Sequence, residues 1–449
     1  MLKGIRRGAN INLIGEAEKI LNRNVSSPSY SVKPTDFFAL TPKLTVKEGD
    51  SVKAGTPLFF SKKNPAINFV SPVSGKVTSV IRGAKRKVLE IMISEEGKES
   101  VSHKVDGLGA MNQDTIKELL LKSGCWSFIV QRPYGIVANP DVMPKAVFVA
   151  AKATGPLQVD YEFILKNSKE SFQKGIDVLK RLTQKEIYLG VDAFFPGFFE
   201  TVKNVNTYPI SNTHPAGNVS FHIEKLAPIN PNETVWVVHP EDVVNIGILF
   251  ETGKYAAQRT LAMAGPSVKK PQYYATKIGA SLAPIIAASE VDTASENRYI
   301  NGDALSGVAV SQQGHAGFYN NLVTVIPEGK QYRLFGWLPF KDNRVFSLSK
   351  TSFSWILNAR KKSHITTNMN GEARALVVTG EMEKVFPMDM YPMQLLKACL
   401  VGDIEEMEAL GIYEVVPEDF GLVDFSNTSK IEAQEIIREG IELMLKEVG

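Results

Sequence analysis

The chain has 449 residues, and its 51 Lys and Arg against 48 Asp and Glu leave a formal net charge of +3. So even a balance gives no support for a nucleic-acid partner or a polybasic membrane anchor, which need clustered charge, while 44% apolar residues suffice for packed cores and are far from a disordered composition. The two cysteines, Cys125 and Cys399, are too few for an iron–sulfur cluster or a Cys-rich zinc site, and leave a single disulfide open.

At roughly 150 residues per domain the length sets a prior of about three domains. The opening MLKGIRRG has basic residues with no apolar run behind them, so no signal peptide is expected. No stretch reaches the ~18 apolar residues of a membrane span; the nearest, around residues 278–288, is broken by Ser281 and Pro284. The expectation is a soluble, cytoplasmic chain that another protein holds at any membrane it serves.

Over residues 1–100, short β-branched runs are separated by Gly and Pro. TVKEGDSVKAG (45–55) reads as strand, turn, strand, with Glu48-Gly49-Asp50 as the turn. SPVSGKVTSV (71–80) repeats the design, with Gly75 as its turn and Val77, Ser79 and Ile81 alternating with Lys76, Thr78 and Val80. VLEIMI (88–93) is a further strand, and this spacing suggests a small barrel or sandwich. From about residue 112 the period turns helical: Asn112 or Asp114 caps a helix carrying Ile116, Leu119, Leu120 and Leu121 and stopping at Gly124. KAVFVAA (145–151), EIYLGV (186–191) and TVWVVH (234–239) read as strands, with helices over 172–182 and 241–250. That alternation predicts an α/β layer with a largely parallel sheet. Strands return between about 256 and 335, clearest over 259–264 and 321–326, with turns at Gly265-Pro266, Asn301-Gly302 and Gly314. Beyond Met388 the pattern is helical, with Pro392 in a first turn followed by Leu395, Leu396, Cys399 and Leu400. The last helix presents Ala433, Ile436, Ile437, Ile441, Met444, Leu445 and Val448 as one apolar stripe, with Glu432, Glu435, Arg438, Glu439 and Glu442 outside it.

The catalytic inventory is nearly empty. Gly107-Leu108-Gly109 lacks both the third glycine and the preceding strand of a dinucleotide fingerprint. Gly247 and Gly253-Lys254 are spaced one residue too far for a phosphate loop, and Tyr255 stands where Ser or Thr would hold magnesium. There is no G-x-S-x-G, H-E-x-x-H or Cys–His cluster; His214, His222 and His239 are expected to be structural or solvated. Residues 123–135 gather Trp126, Phe128, Arg132 and Tyr134, either as aromatic packing or as an aromatic-plus-arginine pocket for a planar ligand.

The segments KEGDSVKAGTPLF (47–59) and FVSPVSGKV (69–77) resemble the biotinyl/lipoyl hammerhead. The intervening SKKNPA (61–66) lacks the context in which a carrier lysine is acylated, which argues against a swinging arm on Lys62 or Lys63. Together with Lys3-Gly4, VIRGAKR (80–86), DFFALTP (36–42), SNTHPAG (211–217) and RYINGDALSG (298–307), these segments give the chain its wider likeness. Over essentially its full length it resembles the NqrA family, the A subunits of sodium-translocating NADH:quinone reductases.

The resemblance implies a multidomain α/β and β fold: a hammerhead barrel over 1–100, a vestigial flavin-fold α/β domain over 101–255, a β-grasp domain over 256–335 and a mainly helical C-terminal region over 336–449. The related C subunit of the Rnf complex carries iron–sulfur cysteines where this chain reads GIYEVVPEDFG (411–421), without a cysteine. Flavin-binding relatives place a glycine-rich loop where residues 123–135 stand here, and the bulky side chains would obstruct a flavin phosphate.

By resemblance the chain is a peripheral component on the inner face of the bacterial inner membrane. It would dock on the membrane subunits, chiefly the B subunit, and shape the quinone-reduction region, with Arg132, Tyr134, Trp126 and Phe128 as candidates there. NADH, flavins, an iron–sulfur cluster and quinone would be handled by other subunits; no catalytic, cofactor-binding or metal residue is expected in this chain. The alternatives are a ligand-free assembly scaffold of the same complex and an independent flavoprotein dehydrogenase, the latter needing a phosphate loop that is missing.

Overall fold

Seven short strands built from the β-branched runs of the first hundred residues pair into two small sheets. One orders Ser29–Val32, Val88–Glu95, Gly75–Arg82 and Ser51–Val52; the other Pro42–Leu44, Pro57–Ser61 and Asn68–Val70. The computed structural model describes residues 7–330, 346–348, 353, 356, 362–377 and 379–449; Lys3-Gly4 and the expected boundary at 335–336 lie outside them. Phe37, Phe59 and Phe69 fill the space between the strands, with Phe59 and Phe69 stacked at 4.7 Å and Phe37 4.4 Å from Phe69. Gly75 differs from expectation: it begins the Gly75–Arg82 strand instead of turning. A Cβ there would sit 1.6 Å from the Ser94 carbonyl oxygen of the neighbouring strand, so it is close approach that demands glycine. The expected alternation also breaks after Val77, where a bulge shifts the register and leaves Ile81 exposed.

The middle third forms a six-stranded sheet in the order Ile136–Val137, Ile129–Arg132, Val235–Val238, Ala146–Ala150, Glu186–Asp192, Asn206–Ile210, of which the last four run parallel. Residues alternate between its faces. Val147, Val149, Ile187 and Leu189 pack with helices Gln113–Ser123, Lys169–Thr183 and Pro240–Thr252, while Ala146, Phe148, Tyr208 and Ile210 pack against Val219–Leu226. Asn112 caps the first helix by accepting from the Thr115 N–H at 2.9 Å, and Gly124 ends it in a left-handed conformation.

The third sheet orders Glu18–Asn22, Gln272–Lys277, Gln258–Ala264, Leu322–Pro327, Asn297–Asn301 and Val308–Val310. The first hundred residues are thus shared between sheets, because Glu18–Asn22 leaves its neighbours to pair with Gln272–Lys277. This edge strand is largely exposed, so side-chain patterning carries no record of its partner. His315 joins the third module to the first: its Nδ1 lies 2.8 Å from Glu90 Oε1 and its Nε2 3.0 Å from Ser29 Oγ, while Lys33 Nζ donates to the His315 carbonyl at 2.7 Å.

The C-terminal helices Pro392–Val401, Gly421–Ser426 and Ala433–Glu447 bury Leu395, Leu396, Phe420, Leu422, Ile437 and Ile441, and Ile11 and Leu13 from the other end of the chain join that core. Of the expected stripe, Val448 is exposed. Arg438, expected outside it, lies over the Phe38 ring at 4.4 Å, because its long apolar stem can cover that surface while its guanidinium faces the ring. Cys125 and Cys399 are both free thiols.

Helices Lys169–Thr183 and Pro240–Thr252 cross so closely that a Cβ on Gly175 would lie 2.0 Å from the Val243 carbonyl oxygen, and one on Gly247 1.9 Å from that of Ser171. Gly247→Ala should therefore lose about 1–3 kcal/mol by forcing the helices apart, despite the better helix propensity of Ala. Gly107→Ala, with open space around it, should be neutral; denaturant titration of both variants checks the contrast.

Candidate functional site

In the parallel part of the middle sheet the chain builds outward from Ala146–Ala150 to Glu186–Asp192 and Asn206–Ile210, then returns to lay Val235–Val238 on the opposite side of the first strand. The order reverses there, and in open α/β sheets ligands bind beyond the carboxyl ends of strands near such a reversal. Beyond those ends lies a cleft of about 540 Å³ lined by Asn10, Lys152, Thr154, Asp192, Phe195 and Asn212 among others.

Its polar groups are tightly accounted for. Lys152 Nζ pairs with Asp192 Oδ2 at 2.6 Å, and Asp192 Oδ1 accepts from the N–H groups of Phe194 and Phe195 at 2.8 and 3.1 Å. Burial pushes the Asp192 pKa up, but these bonds to its charged form outweigh burial and hold it below the usual carboxylate range. Thr154 Oγ1 lies 3.2 Å from His214 Nδ1 and accepts from the Gly217 N–H at 2.8 Å, while Asn10 Oδ1 accepts from the His214 N–H at 2.8 Å. Gln158 Nε2 donates to Asp303 Oδ2 at 2.8 Å, and Asp303 Oδ1 accepts from the N–H groups of Leu305 and Ser306. The C-terminal module closes the chain of contacts, with Gln434 Nε2 donating to the Leu305 carbonyl at 2.8 Å.

SNTHPAG and RYINGDALSG, distant in sequence, therefore meet on one loop, residues 152–158. Sequence reasoning missed Lys152, Thr154, Gln158 and Asp192. Their signal was positional: KATGPLQVD follows directly on a fully apolar strand, where a loop beyond a sheet must begin.

The four candidates of residues 123–135 are not brought to one pocket. Trp126 and Phe128 are fully buried in the core. Trp126 meets Trp236 edge-on at 5.4 Å and donates to the Ala138 carbonyl at 2.7 Å, and Phe128 stacks on Tyr255 at 5.8 Å. Arg132 and Tyr134 face the C-terminal module instead: Arg132 Nη2 lies 3.2 Å from Glu418 Oε1, and Tyr134 meets Tyr413 edge-on at 6.0 Å. Arg132 Nε and Nη1 are buried without an acceptor. The segment itself is a 3-10 turn Cys125–Phe128, a strand Ile129–Arg132 and a tight turn, with no glycine-rich loop to approach a phosphate.

His214, His222 and His239 are packed into the structure. His222 lies 2.7 Å through Nε2 from the Ala216 carbonyl and 4.4 Å from the Tyr208 ring. Among the described residues no group of three His, Cys, Asp or Glu side chains is placed to hold a metal ion, and no helix is long and apolar enough to cross a membrane.

Three family models match the chain: the NqrA N-terminal barrel-sandwich hybrid domain over residues 4–96, the NqrA second alpha/beta domain over 111–255 and the NQRA C-terminal domain over 260–312. The A subunit of the Na(+)-translocating NADH-quinone reductase of Neisseria meningitidis serogroup A / serotype 4A is 34% identical over 448 residues, 99% of each chain. That of Pasteurella multocida is 32% identical over 449 residues, again 99% of each. Among solved structures, an air-oxidized NAD+-reducing NiFe-hydrogenase aligns with a TM-score of 0.40 at 10% identity, covering 75% of this chain and 61% of that one, too distant to carry any argument.

Burial lowers the His222 pKa from 6.5 to about 4. Between those values the unfolded chain binds a proton that the folded chain does not, so stability present above pH 6.5 falls as the pH drops toward 4. The unfolding temperature of the parent chain relative to that of His222→Phe should therefore fall as the pH drops from 6.5 toward 4.

Proposed function

The chain belongs to the NqrA family, the A subunits of Na(+)-translocating NADH-quinone reductases, and from that premise we propose that it is a peripheral component docked on the membrane subunits, chiefly the B subunit, at the inner face of the bacterial inner membrane. The observation that carries this reading is identity of 34% spread over 99% of both chains, which aligns the two from end to end. On this reading the middle domain is a flavin-type fold that has lost its ligand, and the third module a β-grasp domain. Trp126 and Phe128 support the first point by packing as buried rings in the segment where the resemblance places a glycine-rich loop. NADH oxidation, the flavins and the iron–sulfur cluster belong to other subunits, and sodium crosses through the membrane subunits.

Within the assembled enzyme this chain contributes to the quinone-reduction region through Arg132 and Tyr134. What supports Arg132 is its chemistry: a guanidinium that is always charged, buried against Glu418, with two nitrogens left over for an acceptor such as a quinone carbonyl. A donor of this kind would bind the head group more strongly as charge develops on its oxygens during reduction.

The second reading, a ligand-free scaffold, draws on the same Arg132–Glu418 pair, which also ties the α/β domain to the C-terminal helices. The two separate on one variant. Arg132→Ala in the complete complex should reduce quinone turnover per assembled enzyme about tenfold, the scale of one lost charge-assisted hydrogen bond, with NADH oxidation by an artificial acceptor unchanged. Steady-state kinetics on purified complex read both; unchanged quinone turnover at normal assembly favours the scaffold.

A further inference from the structure

We propose that the junction between the α/β domain, the third sheet and the Glu18–Asn22 strand is a binding site for a small organic carboxylate with an apolar body. A cleft of about 350 Å³ opens there, within the range of pockets that take small ligands. It shares no lining residue with the 123–135 segment or with the cleft beyond the carboxyl ends of the middle sheet.

The floor holds Arg259 and Glu241, both buried. Arg259 Nη2 is satisfied by Asp242 Oδ1 at 2.7 Å and by the Phe318 carbonyl at 3.0 Å. Nη1 reaches Glu241 Oε2 only at 3.5 Å, and Nε has no acceptor at all. A buried guanidinium with an unused N–H is a standing demand for an oxygen. Glu241 Oε1 is taken by the Thr260 N–H at 2.9 Å, while Asp242 Oδ2, like Arg259 Nε, is buried without a partner.

Of the cations at the mouth, one lacks a carboxylate partner. Three cations, Arg23, Arg259 and Lys277, line the cleft against one carboxyl, Glu241. Asp242 compensates Arg259, and Glu95 compensates Lys277 at 2.6 Å; Arg23 is exposed and has no acidic partner among the described residues. Burial pushes Glu241 up to about 7, which lessens its repulsion of an entering anion near neutral pH. Val25, Ile164, Leu165 and Val244 supply an apolar wall, which an inorganic anion would leave bare but a hydrocarbon body would cover. The lining comes from five stretches of the chain, within 21–30, 164–168, 241–244, 258–260 and 275–277, so an occupant would also clamp the modules together.

The test is calorimetric titration and thermal unfolding of the full-length chain with benzoate and hexanoate, with benzamide as the neutral counterpart of benzoate. Arg23→Gln removes the spare charge at an exposed position, and Ala275→Phe narrows the cleft from a half-buried lining position. Saturable binding of at least one carboxylate is expected, with a raised unfolding temperature. Affinity should fall about tenfold in Arg23→Gln, be lost in Ala275→Phe, and be at least about tenfold weaker for benzamide. The unliganded variants should unfold at the temperature of the parent chain, which separates loss of the site from loss of the fold. No saturable carboxylate binding, equal binding of benzamide, or undiminished binding in a folded Ala275→Phe chain would overturn the proposal.

Discussion

Arg259 sets the relation between the two central domains. Its guanidinium is almost wholly removed from solvent, and the groups that hold it come from both sides: Asp242 and Glu241 from the helix Pro240–Thr252, and the Phe318 carbonyl from the loop before the Leu322–Pro327 strand. A buried charge is tolerated only while paired, and stripping it of one partner costs about 3–5 kcal/mol. The α/β domain and the third sheet therefore cannot slide or part without leaving an unpaired ion in a dry interior. Such a cluster adds little net stability over an apolar core of the same shape, but it specifies one docking geometry. The softer joints follow from it: His315 between Glu90 and Ser29, and Asp303 between Gln158 and its own turn, both fasten loops that this geometry has already brought close.

What the sequence disclosed depended on how each element earns its stability. The helices Gln113–Ser123, Lys169–Thr183 and Ala433–Glu447 and the buried strands Ala146–Ala150 and Val235–Val238 bury apolar faces, so their periodicity is legible in the residues themselves. Glu18–Asn22 was not legible as a strand of the third sheet, since an exposed edge is held by backbone bonds that any residues can make. Gly75 misled for a related reason: a glycine needed for close approach and one needed for a turn look the same in a string of letters.

The candidate site was legible only in part. SNTHPAG and RYINGDALSG stood out as segments, yet nothing in them shows that residues 152–158 would lie between them, because Thr154–His214 and Gln158–Asp303 are contacts across 60 and 145 positions. Trp126 and Phe128 were grouped with Arg132 and Tyr134 by nearness in sequence. On a strand and its flanking turn that nearness separates them, with the rings in the core and the arginine turned toward the C-terminal helices.

The near-empty catalytic inventory is consistent with a chain whose elaborate polar joints hold modules in place for a larger enzyme. Membership of the NqrA family supplies that enzyme, and the remaining claim is that this chain works only as part of it. Purification of the reductase from native membranes in mild detergent, followed by native mass spectrometry, addresses that claim directly. One copy of this chain held with the membrane subunits, and carrying no flavin of its own, is the predicted result. Recovery of the chain as a free species with a stoichiometric flavin, while the membrane subunits remain together without it, would contradict it.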